Sequence, residues 1–434
     1  MSRHGFNQQS VVRKPAGRTA LLIVGGLAAF GAYFAMYAFR KPFAAGTYED
    51  MGLLPLGIDY KTGLLIAQVI GYALSKLIGI RVIAEAGRQG RAMAILCLIG
   101  LSWIALVLFA ILPKGWGPLC LFLNGLPLGM IWGFVFSYVE GRRCSEMLGA
   151  MLCASFILSS GVVKSVAVWM MQQGVSETWM PAVTGIAFAP ILLLSLWVLE
   201  RLPPPDGRDE AERTARAPMR KNDRAAFLRT HGLPMAVLVS GYVLLTALRD
   251  FRDNFAVELW TAMGFGGAAS IFSQSELPVA VIALAGLGAL MLVRNNKRAL
   301  LAMHGVIILG ALLLGASTLA FQAHLLGPLS WMILTGAGLY LGYTPFNAML
   351  FDRMIAALGR AGNAGFLIYI ADASGYCGSV ALLLYRSLVA QKVDWLPFFI
   401  TCSYVTAALV MLLTLLSAVY FLRLERRELV QAHA

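Results

Sequence analysis

Apolar stretches of twenty residues or more recur twelve times along the chain, separated by short polar turns. They run over 19–44, 59–80, 92–113, 116–139, 146–173, 179–200, 232–260, 268–294, 299–321, 326–351, 362–388 and 395–422. About 20 mainly apolar residues suffice for one helical crossing of a bilayer. A β-barrel would instead show roughly ten-residue strands of alternating polarity, and these runs are too long and too continuous for that. Of the 434 residues, 59% are hydrophobic and 13% are charged, against about 45–50% and about 25% in soluble domains. The chain is therefore expected to be an all-α membrane protein of twelve transmembrane helices.

The positive charges set the orientation. Arg3, Arg13, Lys14 and Arg18 precede the first stretch. Arg81, Arg88, Arg91, Arg142, Arg143, Arg294, Lys297, Arg298, Arg353 and Arg360 fill the even-numbered turns. Arg423, Arg426 and Arg427 follow the last stretch, whereas the opposite turns hold few cations beyond Lys61, Lys114 and Lys392. Lys and Arg favour the cytoplasmic side, so both termini are expected there, in a cytoplasmic (inner) membrane. The first stretch exceeds the apolar core of a cleavable signal. One long polar segment, 201–231, contains Pro203, Pro204 and Pro205 and a mixed-charge run. It lacks the apolar surface to pack alone. The expected organisation is a tail (1–18), a six-helix bundle (19–200), a cytoplasmic linker (201–231), a second six-helix bundle (232–422) and a tail (423–434).

The net charge of +13 would point to nucleic acid in a soluble protein. Here most cations lie in turns and set topology, so no nucleic-acid partner is expected. Cys97, Cys120, Cys144, Cys153, Cys377 and Cys402 mostly fall within apolar runs without close pairing. They read as small buried hydrophobes. His304 and His324 have no acid or thiol at metal spacing, and no catalytic triad, P-loop or dinucleotide turn is present. The expectations are no enzyme activity, no metal, no cofactor and a monomeric protein whose partners are the lipid bilayer and a small solute.

Two arginines carry the functional reading. Arg40 lies in or at the end of the first stretch, and Arg249 lies in the seventh, which opens the second bundle. Each follows a tyrosine by seven residues, Tyr33 and Tyr242. An unpaired cation inside a membrane costs at least about 2.5–3.5 kcal/mol, so a matched pair facing the midplane implies an anionic substrate between two parallel halves. Tyr37, Trp132 and Asn347 join the two tyrosines as candidate lining residues, although aromatics in spans also serve as packing or interfacial belts. Asn347 lies two residues after Pro345, where a broken helix would expose polar backbone to a cavity. Lys41 is read equally as a binding group or an interfacial anchor, and Lys76 as a site, a gate or a snorkelling side chain. Asp372 is read equally as a proton carrier or a static partner of Lys76.

The segment from Tyr33 through Arg40, Lys41 and Phe43 resembles the first helix of the organophosphate:phosphate antiporters, a branch of the major facilitator superfamily. Gly71-Tyr-Ala-Leu-Ser-Lys76 is similar to that family's second helix. Glu85, Gly87, Arg88 and Arg91 resemble a degenerate form of the superfamily's loop after that helix. Ala364-Gly-Phe and Gly378-Ser-Val-Ala in the eleventh stretch match in kind. The resemblance implies a major facilitator-like fold of two six-helix bundles. It also implies that Arg40 and Arg249 hold the substrate's phosphate, with Lys41 and Lys76 beside them. In that fold the fifth and eighth helices meet between the halves, which makes Lys164 and Glu276 an expected gating pair. The departures are Ser155 where the family has a functional histidine, Asp250 and Asp253 beside Arg249 and Arg252, and Gly375 where a lysine follows the acid in some members.

The combined expectation is a secondary transporter of a small organic anion, organophosphates among the candidates, working by rocker-switch alternating access. Its driving force would be anion exchange or protons carried by Asp253 or Asp372. A transporter-like sensor for an anionic metabolite is the alternative.

Overall fold

The computed structural model describes residues 18–85, 90–139, 145–203, 221–357 and 364–433. Gly87, Arg88, Arg143, Cys144, Arg360, residues 1–17 of the tail and residues 204–220 of the expected linker lie outside the described residues. Helices α1 (Arg18–Tyr37), α2 (Tyr60–Glu85), α3 (Arg91–Ile111), α4 (Gly117–Leu128), α5 (Ile131–Val139), α6 (Ser145–Gln172) and α7 (Met180–Glu200) form the N-terminal half. The C-terminal half comprises α8 (Lys221–Asn254), α9 (Ala256–Ala262), α10 (Ile271–Met291), α11 (Asn296–Gln322), α12 (Pro328–Ala348), α13 (Leu350–Ala357), α14 (Ala364–Leu388) and α15 (Trp395–His433). Each of the twelve expected stretches contains helix. Among the described residues, nine helical segments are long and apolar enough to cross a membrane. α1, α12 and α14 fall short of that measure, and all three contribute to the central cavity described below.

Four expected stretches are interrupted, and they are the first, fourth, seventh and tenth. The first leaves α-helix after Tyr37, three-residue hydrogen bonds tighten Ala38–Arg40, and a 3₁₀ turn follows over Pro42–Ala45. Pro42 stands just past the break: it has no N–H to bond the Ala38 carbonyl, and its ring would crowd that carbonyl if the helix ran on, while Lys41 before it stays in the αR region. The fourth divides between α4 and α5 just after Pro127. The seventh breaks at Phe255 between α8 and α9, and the tenth at Met349, four residues after Pro345. At the polar segment, α8 begins at Lys221, so the last part of the expected linker is helical and continuous with the seventh span. α15 likewise continues through the expected C-terminal tail to His433. Helix propagation is cheap once a turn exists, and hydropathy alone does not show where it stops.

Small residues let the helices approach closely. A methyl at Gly71 of α2 would lie 2.3 Å from the Phe122 carbonyl of α4, and one at Gly125 of α4 would lie 2.3 Å from the Gln68 carbonyl. Such backbone contact is how helices associate where lipid removes the hydrophobic drive. The two halves meet chiefly where α6 crosses α10 and where α2 crosses α14. At the first crossing, a Cβ on Gly161 would lie 2.6 Å from the Phe272 carbonyl, and Ser165 and Ser273 share a 2.7 Å hydrogen bond. Cys97 and Cys377 are exposed rather than buried.

Candidate functional site

The break after α1 creates the site. It frees carbonyls that a continuous helix would use, and buried polar side chains take them up. Asn124 of α4, wholly buried, donates to the Phe39 carbonyl at 2.9 Å and to Ser102 Oγ at 2.7 Å. Gln68 of α2 donates to the Arg40 carbonyl at 2.9 Å and to Asn124 Oδ1 at 2.7 Å. Non-helical backbone at membrane depth requires this kind of satisfaction. The network fixes Arg40 and Lys41 at the head of the broken segment.

The Arg40 side chain is 8% exposed, and its Nε has no hydrogen-bond partner. Its guanidinium lies 3.7 Å from the centroid of the Tyr72 ring and 5.8 Å from that of Tyr37. A ring face attracts a cation but offers no oxygen to its N–H groups. No carboxylate pairs with Arg40 among the described residues. The neighbouring lysines are paired, and every partner lies on the other half. Lys41 bonds Asp253 at 2.5 Å and donates to Asn254 at 2.8 Å. Lys164 of α6 binds the same Asp253 carboxylate at 2.5 Å, and Ser160 donates to it as well. Lys61 pairs with Glu258 of α9 at 2.5 Å, and Lys76 of α2 pairs with Asp372 of α14.

Arg249 sits differently. It donates to its sequence neighbour Asp250 from Nη2 at 2.6 Å and from Nε at 3.2 Å, above the Tyr343 ring at 3.9 Å. Ser379 of α14 donates to the other Asp250 oxygen at 2.8 Å. A further chain joins Asn347 to the Tyr242 hydroxyl at 3.2 Å, and Tyr242 donates to Asp372 at 2.6 Å.

These groups surround a cavity of about 80 Å³ between the halves. One water needs roughly 10–15 Å³ by this kind of measure, so the space suits a few waters or one small anion. Of the residues expected there, Arg40, Arg249, Lys41, Lys76, Tyr33, Tyr37, Trp132 and Asn347 line it, as do Asp253 and Asp372. Tyr242 does not. It is 1% exposed and lies behind the lining, where it orients Asp372. Lys164 and Glu276, the expected gating pair, do not meet each other in this conformation. Glu276 bonds Arg252 at 2.8 Å within the C-terminal half, and Lys164 bonds Asp253. The cause is geometric: Gly161 seats the Glu276 stem tightly, and Arg252 and Asp253 stand nearer the two charges. Arg40 and Lys41 both line the cavity, Arg40 over the Tyr72 ring and Lys41 on Asp253.

Sequence reasoning missed Tyr72, Phe156, Tyr340, Tyr343, Ile368 and Tyr376 in the lining, and read Asp250 only as an acid able to neutralise the neighbouring arginines. A signal existed for two of them. Tyr72 precedes Lys76 by four residues and Tyr376 follows Asp372 by four, and residues so spaced share one helix face. The Gln68–Asn124–Ser102 network had no comparable signal, since it joins three helices.

Comparison with other proteins follows from this geometry. A family described as "Family of unknown function (DUF5690)" matches residues 42–424, and the chain belongs to that family. No curated protein sequence matches significantly. Among solved structures, the chain is similar to a D-xylose–proton symporter, with a TM-score of 0.59 and 14% identity, over 92% of this chain and 96% of that one. A bacterial homologue of the human drug peptide transporters PepT1 and PepT2 gives a TM-score of 0.60 and 15% identity, over 94% and 98%. A bacterial homologue of the human lysosomal transporter Spinster, inward-facing and unoccupied, gives 0.60 and 11%, over 95% and 99%. At these identities the likeness shows the fold. It is the all-α fold of major facilitator superfamily membrane proteins.

Proposed function

We propose that this protein is a secondary transporter that carries a small organic anion across the membrane by alternating access of its two halves. The observation that carries the reading is Arg40: a buried cation at a polar cavity, stacked on a tyrosine and without a counter-anion among the described residues. Burial of an uncompensated charge is expensive, and a substrate oxyanion removes that cost. The site as a whole has the same bias. Arg40, Lys41, Lys76, Lys164 and Arg249 face only Asp250, Asp253 and Asp372, an excess of two positive charges. A dianion such as a phosphate monoester offsets that excess, which agrees with the antiporter-like sequence around Arg40. In this reading the halves, 19–200 and 232–422, are the moving bodies. The protein works as a monomer in the cytoplasmic membrane with both termini inside. Asp253 and Asp372 are the carboxylates whose ion pairs are remade as the halves move, because each bridges the halves. Lys164 contributes to gating through Asp253, and Glu276 holds Arg252 in place.

The test is thermal unfolding of the purified protein against phosphorylated and carboxylated metabolites, since a ligand of the folded state raises its stability. Any hit is then followed by flux into vesicles. Stabilisation by an anion together with flux supports transport. Binding without flux turns the assignment to a sensor. No stabilisation by any anion sinks the site.

A further inference from the structure

The three cavity carboxylates are not equivalent. Asp253 is gripped by two lysines and a serine, and Asp372 by a lysine and a tyrosine. Both join the two halves. Asp250 holds a single cation, and that cation is Arg249, the second arginine of the cavity. The pairing does not come from helix register, because consecutive residues on a helix do not face each other. Arg249 folds back onto its neighbour, placing two of its nitrogens on a single Asp250 oxygen. A guanidinium fork normally engages both oxygens of a carboxylate or phosphate; here the second oxygen is taken by Ser379.

Building on the anion site described above, we propose that Asp250 is an internal counter-anion. Its carboxylate occupies the place on Arg249 that a substrate oxyanion takes, so the anion enters as a proton moves onto Asp250. Once Arg249 turns to the substrate, Asp250 keeps only the Ser379 hydroxyl. Other charges share the space. Asp253 faces it from α8, Asp372 from α14, Lys76 from α2, and Arg40 and Lys41 from the end of α1. Lys164 of α6 lies beyond Asp253. Of the cations, Lys41, Lys76 and Lys164 are already held by Asp253 or Asp372, and the incoming anion engages Arg40. No cation is left for Asp250. A buried carboxylate without a partner neutralises rather than remain charged. One proton from the aqueous side therefore accompanies one anion, and nothing else changes hands.

The proposal assigns coupling to Asp250 and makes Asp253 and Asp372 holders of the interface. It is tested with sulfate, whose charge is constant over about pH 5–8, by following thermal stabilisation of the purified full chain. In the native protein, sulfate affinity is expected to rise as pH falls, by up to about tenfold per unit for one linked proton. Asp250→Asn is expected to bind sulfate at least about tenfold more tightly at pH 8, with a flat pH profile. Ser379→Ala, which keeps the carboxylate and removes its other support, is expected to keep the slope and move the profile to higher pH. That variant decides the matter if Asp250→Asn does not fold. A native slope retained in Asp250→Asn, or an unmoved profile in Ser379→Ala, overturns the role of Asp250 and leaves the anion site standing. Stabilisation of none of the proteins overturns both.

Discussion

The N-terminal half brings cations to the interface, and the C-terminal half brings the acids. Lys61, Lys76 and Lys164 come from helices before residue 204, and Lys41 from the break after α1. Their partners Asp253, Glu258 and Asp372 all come from helices after residue 220. The two arginines at matching places in the halves share this difference. Arg249 has an acid beside it, and Arg40 has none among the described residues. Two halves that echo each other in sequence are thus opposite in charge where they meet. The lesson is mechanical. Buried ion pairs within one half move with it, whereas pairs across the interface must be remade whenever the halves separate. Removing one partner of a buried pair is strongly destabilising because the other charge is stranded.

The largest effect is expected at Asp253. Asp253→Asn leaves Lys41 and Lys164 without a carboxylate. A loss of about 3–5 kcal/mol, the range for stranding a buried charge, is expected in denaturant or thermal unfolding. Cysteine accessibility should also show the Lys41 side of the cavity opening. Glu276→Gln breaks the Arg252–Glu276 pair inside one half; it should lower stability without changing that accessibility. An equal opening in both variants would remove the distinction between pairs across the interface and pairs within a half.

Much of the fold could be read from the chain because hydropathy over twenty residues is a local property. All twelve stretches contain helix, and Arg40, Lys76 and Asp372 stood out as charges in apolar runs. The helix breaks were less visible. Pro42, Pro127 and Pro345 mark three of them, but the break at Phe255 has no proline. The charge asymmetry between the halves was hidden for a different reason. Which acid meets Lys164 depends on the depth at which α6 and α10 cross, and a glycine contact sets that depth. Periodicity places a residue on a face of its own helix, not its height against another. The tyrosine spacing misled in the same way: Tyr33 and Tyr242 match in sequence, yet one lines the cavity and the other supports it.

The next effect separates the two arginines. Arg40→Lys keeps the charge but loses the planar fork. A charge-assisted hydrogen bond is worth about 1.5–3 kcal/mol, so affinity for the transported anion is expected to fall roughly tenfold to a hundredfold. Arg249→Lys is expected to cost less, because in the resting protein that side chain already serves Asp250. Both variants should insert and fold. Titration calorimetry with the anion identified by the unfolding screen makes the comparison. A larger loss at Arg249 than at Arg40 would reverse the assignment of the primary contact.

The smallest effect tests the matched tyrosines. The Tyr33 hydroxyl is 3.5 Å from that of Tyr72, at the limit of a hydrogen bond, and its ring packs edge-on against Tyr37 at 5.5 Å. Tyr33→Phe keeps that ring contact and removes a weak bond beside the cavity. Stability should change by less than about 0.5 kcal/mol, as for a substitution that removes no strong partner. Tyr242 makes two good bonds, donating to Asp372 and accepting from Asn347. Tyr242→Phe takes a donor from a buried carboxylate and an acceptor from a side-chain amide. A typical hydrogen bond contributes about 0.5–1.5 kcal/mol and one to a charged group about 1.5–3. The loss should therefore be about 1–3 kcal/mol, moderated because Lys76 still holds Asp372. Thermal unfolding ranks the two variants directly. Anion affinity should move the opposite way, falling more in Tyr33→Phe, since only Tyr33 borders the cavity. If Tyr242→Phe impairs binding more than Tyr33→Phe while leaving stability unchanged, Tyr242 belongs to the anion site and the halves are more alike than their buried charges imply.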